Sequence, residues 1–350
     1  MKTLLKGIEI SHIASSLPSK VLKFDDLKDL FGDKEVDKVM KTTGINSVHI
    51  AADDTTSSDL CFYAAKKILD SLDTTDDIDG LIFVSQTRDH VLPQSSHILQ
   101  AKLGLSQDTY CLDMPLGCSG YIYGLMQASL LISTGACNKV LVLAGDTTSK
   151  LVNEQDRASR LVFGDAGSAT LLQKGNDGMY FDLRADGSGK DSLIVPSGGF
   201  RNPSNSKTSI TKPAEEGCSR SQDDLFMDGM SVFNFAITKV PKLLKETLLE
   251  LNWTLESLDA MVLHQANKFM VDYLRRKMKL PLEMVPIEVK NYGNTGPASI
   301  PLAITSKYSI DKPKLNNVLL AGFGVGLSWG ACNCNLQNTI IFEPEIFNKL

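Results

Sequence analysis

Apolar and polar positions along this chain alternate between short bare runs and longer helical stripes. Gly80-Leu81-Ile82-Phe83-Val84, within residues 78–85, is an apolar run of strand length, and Val140-Leu141-Val142-Leu143-Ala144-Gly145 is another. Between them, residues 95–103 and 120–134 carry apolar side chains at helical spacing. This alternation predicts an α/β fold whose sheet is covered on both faces. A third apolar strand, Leu258 to Leu263, lies further on. Helical spacing also starts at Met227 and runs through Phe233, Ile237, Val240 and Leu244.

The second half echoes the first. Asp76–Thr87 resembles Glu256–Asn267, and Asn138–Gly145 resembles Asn316–Gly322. The matched pairs Asp79/Asp259 and Gly145/Gly322 lie 180 and 177 positions apart. Two matches in one order at nearly one offset predict an internal duplication, with halves at residues 1–175 and 176–350. A site is then expected at their junction. Residues 186–223 are rich in Gly, Ser, Asn and Pro, and read as a lid, a specificity loop or an idle surface insertion.

Length and charge narrow the class. The 350 residues are 43% hydrophobic and 22% charged, with a formal net charge of -5. That balance fits a globular protein and argues against broad nucleic-acid binding. No apolar run is long enough to span a membrane, and Met1 to Gly7 lack a signal-peptide core. The seven cysteines are scattered, and Cys332-Asn333-Cys334 stands alone, so no metal site is expected. The expected compartment is the reducing cytoplasm.

Cys118 lies in Leu112-Asp113-Met114-Pro115-Leu116-Gly117-Cys118-Ser119-Gly120, just before an apolar helical run. A thiol at a helix N-terminus faces unpaired N–H groups and the positive end of the macrodipole, which favour the thiolate. Gly117 and Gly120 are expected to let a substrate carbonyl approach. A lone cysteine is also commonly an inert buried thiol. His264 ends an apolar strand, where α/β sites are usually built. Asn294 sits in the turn Asn291-Tyr292-Gly293-Asn294-Thr295-Gly296-Pro297-Ala298-Ser299. Gly322-Phe323-Gly324-Val325-Gly326-Leu327-Ser328-Trp329-Gly330 lacks the Lys-Ser/Thr of a P-loop. Its N–H groups suit an oxyanion.

Together these segments resemble the β-ketoacyl-[acyl carrier protein] synthase III family over essentially the whole chain. The resemblance rests on Gly-Cys118-Ser-Gly-Tyr, His264-Gln265-Ala266-Asn267, Tyr-Gly-Asn294-Thr-Gly-Pro-Ala-Ser and the glycine-rich loop. Phe163-Gly164-Asp165-Ala166-Gly167-Ser168-Ala169 and Thr43-Gly44-Ile45 add to it. It implies a thiolase-like fold of five αβαβα layers, a homodimer, and joining of an acyl primer to malonyl-acyl carrier protein with loss of CO₂. It further implies Cys118 as nucleophile, His264 and Asn294 as enolate donors, and the backbone N–H groups of Cys118 and Val325 as oxyanion donors. No cofactor is implied beyond the acyl-CoA or acyl-carrier thioester substrates. Arg157, Phe233, Arg276 and Leu92 match substrate-binding positions, Leu92 reaching the partner subunit's acyl pocket. Arg275, Arg276, Lys277 and Lys279 form a basic cluster that either meets the acyl carrier protein or is a solvated face.

Several positions depart from the family. Lys38 stands where relatives stack a tryptophan on adenine, Thr42 replaces an arginine, and Asn234 and Phe269 replace basic residues. Val325 occupies a position where Gly is common. These losses are expected to weaken coenzyme A binding by about 1–3 kcal/mol, pointing to a carrier-bound or unusual primer. Two rival readings remain: an acyltransferase to an oxygen or nitrogen nucleophile, and a hydrolase using Cys118, His264 and Asn294.

Overall fold

The protein is seen in a computed structural model that describes residues 1–215 and 217–348. Ten strands join in one hydrogen-bonded network. It divides along two long antiparallel strands, Lys2–Pro18 and Ala166–Ala185, which serve both halves. The first part of Ala166–Ala185 pairs with Lys139–Asp146, which continues to Ile78–Val84 and the edge strand Tyr110–Met114. Its last part pairs with Ser328–Cys334, followed by Val318–Gly324 and Ala260–Leu263. The register between the long strands shifts at Gly7, which has a φ of +77°. The boundary expected at 175/176 therefore falls inside a strand shared by the two halves.

Strand side chains alternate between faces, as strand geometry requires. Ile82, Val84, Val140, Val142, Val262, Val318 and Leu320 pack into one central core around the helices Gly120–Ser133 and Ser299–Tyr308. Leu81, Phe83, Leu141 and Leu143 point the other way, onto the outer helices Ser57–Leu69 and Ser95–Lys102. Met261, Leu263, Leu319 and Ala321 do the same toward Gly229–Glu250 and Lys268–Lys277. The order is helix, sheet, helix, sheet, helix: five layers. The helix Gly120–Ser133 is apolar on nearly every side because both its neighbours are sheets.

The duplication is physical. Asp79 accepts N–H bonds from Asn138 (2.8 and 3.0 Å to its two oxygens) and Lys139 (3.1 Å). Asp259 accepts them from Asn316 and Asn317, both at 2.9 Å. Each aspartate ties its own strand to the start of the neighbouring parallel strand. The same device at the same place explains the sequence echo.

Residues 2–7 open a 17-residue strand, and one expectation changes. The helix expected from Met227 begins at Gly229, because Met227 pairs in a short strand with Leu193. The described residues of 186–223 are mostly irregular, with short strands at Leu193–Ile194, Lys212–Pro213 and Ser219–Arg220.

Candidate active site

Both central helices present their N-termini to one place. Cys118 follows the edge strand Tyr110–Met114 through a tight turn, in which the Gly120 N–H donates to the Gly117 carbonyl at 2.7 Å. Asn294 lies in the loop that leads into Ser299–Tyr308, and His264 caps the end of Ala260–Leu263. All three side chains line a single cavity of about 80 Å³ with Phe323 and Gly324. A second cavity, also about 80 Å³, opens from Cys118 on the side of Gln86, Asp146, Leu193, Leu225 and Val325. A larger cleft of about 790 Å³, between helix Asp33–Thr43 and residues 282–290, holds none of the candidate residues. Cys118, His264 and Asn294 lie instead on the smaller cavities, Cys118 on both.

The backbone N–H groups of Cys118 and Val325 both favour the thiolate of Cys118. They do not prevail: burial, and then the Asp146 carboxylate, push the thiol up to about 12. Cys118 at rest is thus a thiol, contrary to the thiolate expected from its helix position. Burial of His264 pushes its imidazole down to about 3, so the ring is neutral. Its Nδ1 lies 2.7 Å from the Ser299 hydroxyl, and Phe323 packs edge-on against it at 5.5 Å. The Asn294 Oδ1 accepts the Gly296 N–H at 3.0 Å, which leaves the amide NH₂ as the donating end.

Local packing holds the loop against the nucleophile. Ser328 Oγ donates to the Val325 carbonyl at 2.9 Å and meets Ser119 Oγ at 2.6 Å. A Cβ on Gly324 would sit 2.7 Å from Cys118 Cβ, so only glycine fits. The positive φ of the loop falls on Gly326, at +135°, and Val325 needs none. A β-branched residue is therefore tolerated there. Gly117 and Gly120 do not hold room for substrate: a Cβ would meet Gln86 Oε1 at 1.9 Å at the first and Val84 at 2.5 Å at the second. Their role is close packing.

The remaining candidates lie outside the two Cys118 cavities. Arg157 forms an ion pair with Glu35 at 3.0 Å. Phe233 stacks on Phe269 at 5.3 Å, just beyond Val232 and Met270, which do line the His264 cavity. Arg276 pairs with Asp272 at 3.0 Å, and Arg275 donates to Asp272 and to the Leu280 carbonyl. Leu92 is 80% exposed in the single chain. Sequence reasoning missed Gln86, Asp146, Leu193, Ile194, Val195, Leu225 and Ser299. The apolar Leu193-Ile194-Val195 inside a polar excursion was the available signal, and those residues wall the cavity.

The arrangement differs from a Cys-His-Asn hydrolase. There the asparagine orients the imidazole; here Asn294 Oδ1 is taken by Gly296, and Ser299 holds the ring.

Comparison with known proteins agrees with this geometry. Residues 112–187 match the family described as 3-oxoacyl-[acyl-carrier-protein] synthase III, and residues 248–336 match its C-terminal part. A putative 3-oxoacyl-[acyl-carrier-protein] synthase 3 of Campylobacter jejuni is 33% identical, covering 100% of this chain and 99% of its own length. A β-ketoacyl-[acyl-carrier-protein] synthase III of Streptococcus sanguinis is 32% identical over 92% of this chain and 97% of its own. The crystal structure of a 3-oxoacyl-(acyl-carrier protein) synthase from Burkholderia xenovorans superposes with a TM-score of 0.92 at 39% identity, over 99% of both chains. With the site geometry, these matches place the chain in the 3-oxoacyl-[acyl carrier protein] synthase III family.

Proposed function

We propose that this protein condenses a short acyl primer with malonyl-acyl carrier protein, releasing CO₂ and giving a 3-oxoacyl-acyl carrier protein. The reading is carried by one observation: Cys118, His264 and Asn294 border a single cavity, with the N–H groups of Cys118 and Val325 on the sulfur.

The Cys118 sulfur attacks the primer thioester, and its proton leaves with the departing thiol. The tetrahedral oxyanion meets the two backbone N–H groups, each worth roughly 3–4 kcal/mol in such a role. The acyl chain then lies in the cavity of Leu193, Leu225 and Val325, whose size suits a few carbons. Malonyl thioester enters from the His264 side. The bond from its C2 to the carboxylate breaks, CO₂ leaves, and the electron pair becomes an enolate. His264 and Asn294 donate to the thioester oxygen without titrating. C2 then bonds to the acyl carbonyl, the bond from that carbon to Cys118 breaks, and the sulfur regains a proton. Transfer to an oxygen or nitrogen nucleophile would need no such enolate donors.

The primer is proposed to arrive on a carrier protein. The support is that Arg157 is engaged in an ion pair with Glu35, and that a solvent-exposed lysine, Lys38, stands where relatives stack a tryptophan. A homodimer is proposed about the edge strand Tyr110–Met114. Asp113 on that strand accepts the N–H groups of Ser95 and Ser96 at 2.8 Å, fixing the preceding loop with exposed Val91 and Leu92 beside it. The cytoplasm is the proposed location, because it keeps free thiols such as these reduced.

Incubation with a panel of acyl-CoA and acyl-carrier thioesters, followed by intact-protein mass measurement, tests the first half. One adduct on Cys118 and none on Cys118→Ala is expected. Retained turnover by Cys118→Ala would exclude the assignment.

A further inference from the structure

We infer that Ser299 is a positioning residue that fixes the tautomer of His264; this rests on His264 acting as an enolate donor. The Ser299 hydroxyl lies 2.7 Å from His264 Nδ1 and 3.3 Å from the Gln265 backbone nitrogen. Both side chains are buried.

Counting protons assigns the direction. A hydroxyl has one proton and two lone pairs. The Gln265 N–H can only donate, so it takes a lone pair of Ser299 Oγ. Among the described residues, no acceptor other than Nδ1 pairs with that hydroxyl. Were Nδ1 protonated, two donors would point at Oγ, and its own proton would be left, among the described residues, without a protein acceptor at a buried position. Oγ therefore donates to Nδ1, and the neutral ring carries its proton on Nε2. With Nδ1 held on the buried side, the ring edge left for the cavity of Cys118 and Asn294 is the Nε2–H edge. That is the tautomer that can donate to a developing enolate. The opposite tautomer would present a lone pair and repel it.

The position suits the task. Ser299 is the first residue of a central helix packed between two sheets, so its hydroxyl is carried on a rigid element. Phe323 fixes the ring plane independently. Ser299 thus selects the proton's position rather than merely the ring's place.

The test uses the full chain labelled with ¹⁵N-histidine, whose ring shifts distinguish the two tautomers. The His264 signal is assigned by its loss in His264→Gln. Wild type is expected to show Nε2–H, and Ser299→Ala a shift toward Nδ1–H. Ser299→Ala should also slow decarboxylative condensation by about 10–100-fold. Acylation of Cys118 should stay within about twofold of wild type, and Ser299→Thr, which keeps the hydroxyl, should restore the rate. Unchanged tautomer or unchanged condensation in Ser299→Ala overturns the inference. So does equal impairment of Ser299→Thr in a folded protein, or Nδ1–H in wild type. If wild type shows the Nε2–H form, dependent on Ser299, yet never decarboxylates malonyl thioester, the tautomer assignment stands and the functional reading fails.

Discussion

At Cys118 three influences compete. Two N–H groups favour the thiolate, while burial and the Asp146 charge oppose it and win. Asp146→Asn keeps an Oδ1 to accept from Ser85 and from the Gln86 and Thr87 backbone, but removes the charge. Alkylation of Cys118 by iodoacetamide at pH 7 should then accelerate severalfold; an unchanged or slower rate contradicts the account. The same substitution has a pH signature. Burial raises the Asp146 carboxyl to about 6, above its unfolded value, so its contribution to stability falls as pH rises from about 4 to 6, by roughly 2–3 kcal/mol. His264, lowered to about 3, acts in the opposite sense: stability is lost as pH falls from about 6.5 toward 3. In wild type the two slopes oppose each other between pH 4 and 6. In Asp146→Asn the histidine slope is left alone, so Tm should fall more steeply on acidification, as thermal denaturation would record. Asn294→Asp places a charge where the proposed mechanism forms its enolate. Acylation should persist while condensation drops by about 100-fold or more, comparable to losing an oxyanion donor.

At the scale of elements, the glycine-rich loop and the turn bearing the nucleophile are one packed unit. A Cβ on Gly322 would lie 2.8 Å from the Cys118 carbonyl oxygen, a backbone atom that cannot swing aside. Gly322→Ala should therefore destabilise the protein by about 1–3 kcal/mol and slow Cys118 acylation, whereas a wild-type Tm and rate would show that the two elements move freely. Much of this was legible in the sequence. Bare runs such as Gly80–Val84 and 140–145 announced buried strands, and the Asp79/Asp259 echo announced the duplication. The motifs around Cys118, His264 and Asn294 picked out three residues that border one cavity. What escaped was set by tertiary context. The strand Lys2–Pro18 has a mixed pattern because it crosses from one sheet to the other. Ser299 looked like the end of a turn, and only the fold brings its hydroxyl to an imidazole 35 positions away. The resting charge of Cys118 was misjudged because a helix N-terminus is visible in sequence and burial beside Asp146 is not.

On the scale of the whole molecule, the five layers bring distant segments to one cavity and leave Tyr110–Met114 as an edge strand, paired on one side among the described residues. Unpaired strand edges invite pairing with another chain, and Leu92 stands 80% exposed next to this one. Light scattering coupled to size-exclusion chromatography should report a dimer, and Leu92→Asp should weaken it and reduce condensation; a monomeric, fully active wild type contradicts this. If the primer is carrier-borne, labelled acetyl should pass from acetyl-CoA to Cys118 about 5–150-fold more slowly than from an acetyl-carrier thioester, reflecting the roughly 1–3 kcal/mol lost at the adenine position. Equal rates would remove that proposal and leave the chemistry intact. The most direct test of the central claim follows carbon. Acyl-Cys118 is isolated and mixed with malonyl-carrier protein labelled at its free carboxylate. The account predicts that label leaves as CO₂ one-for-one with loss of the Cys118 adduct, and that the acyl group appears in an unlabelled 3-oxoacyl-carrier product. Release of the acyl group to water, or as an ester or amide, with the malonyl label retained would contradict it.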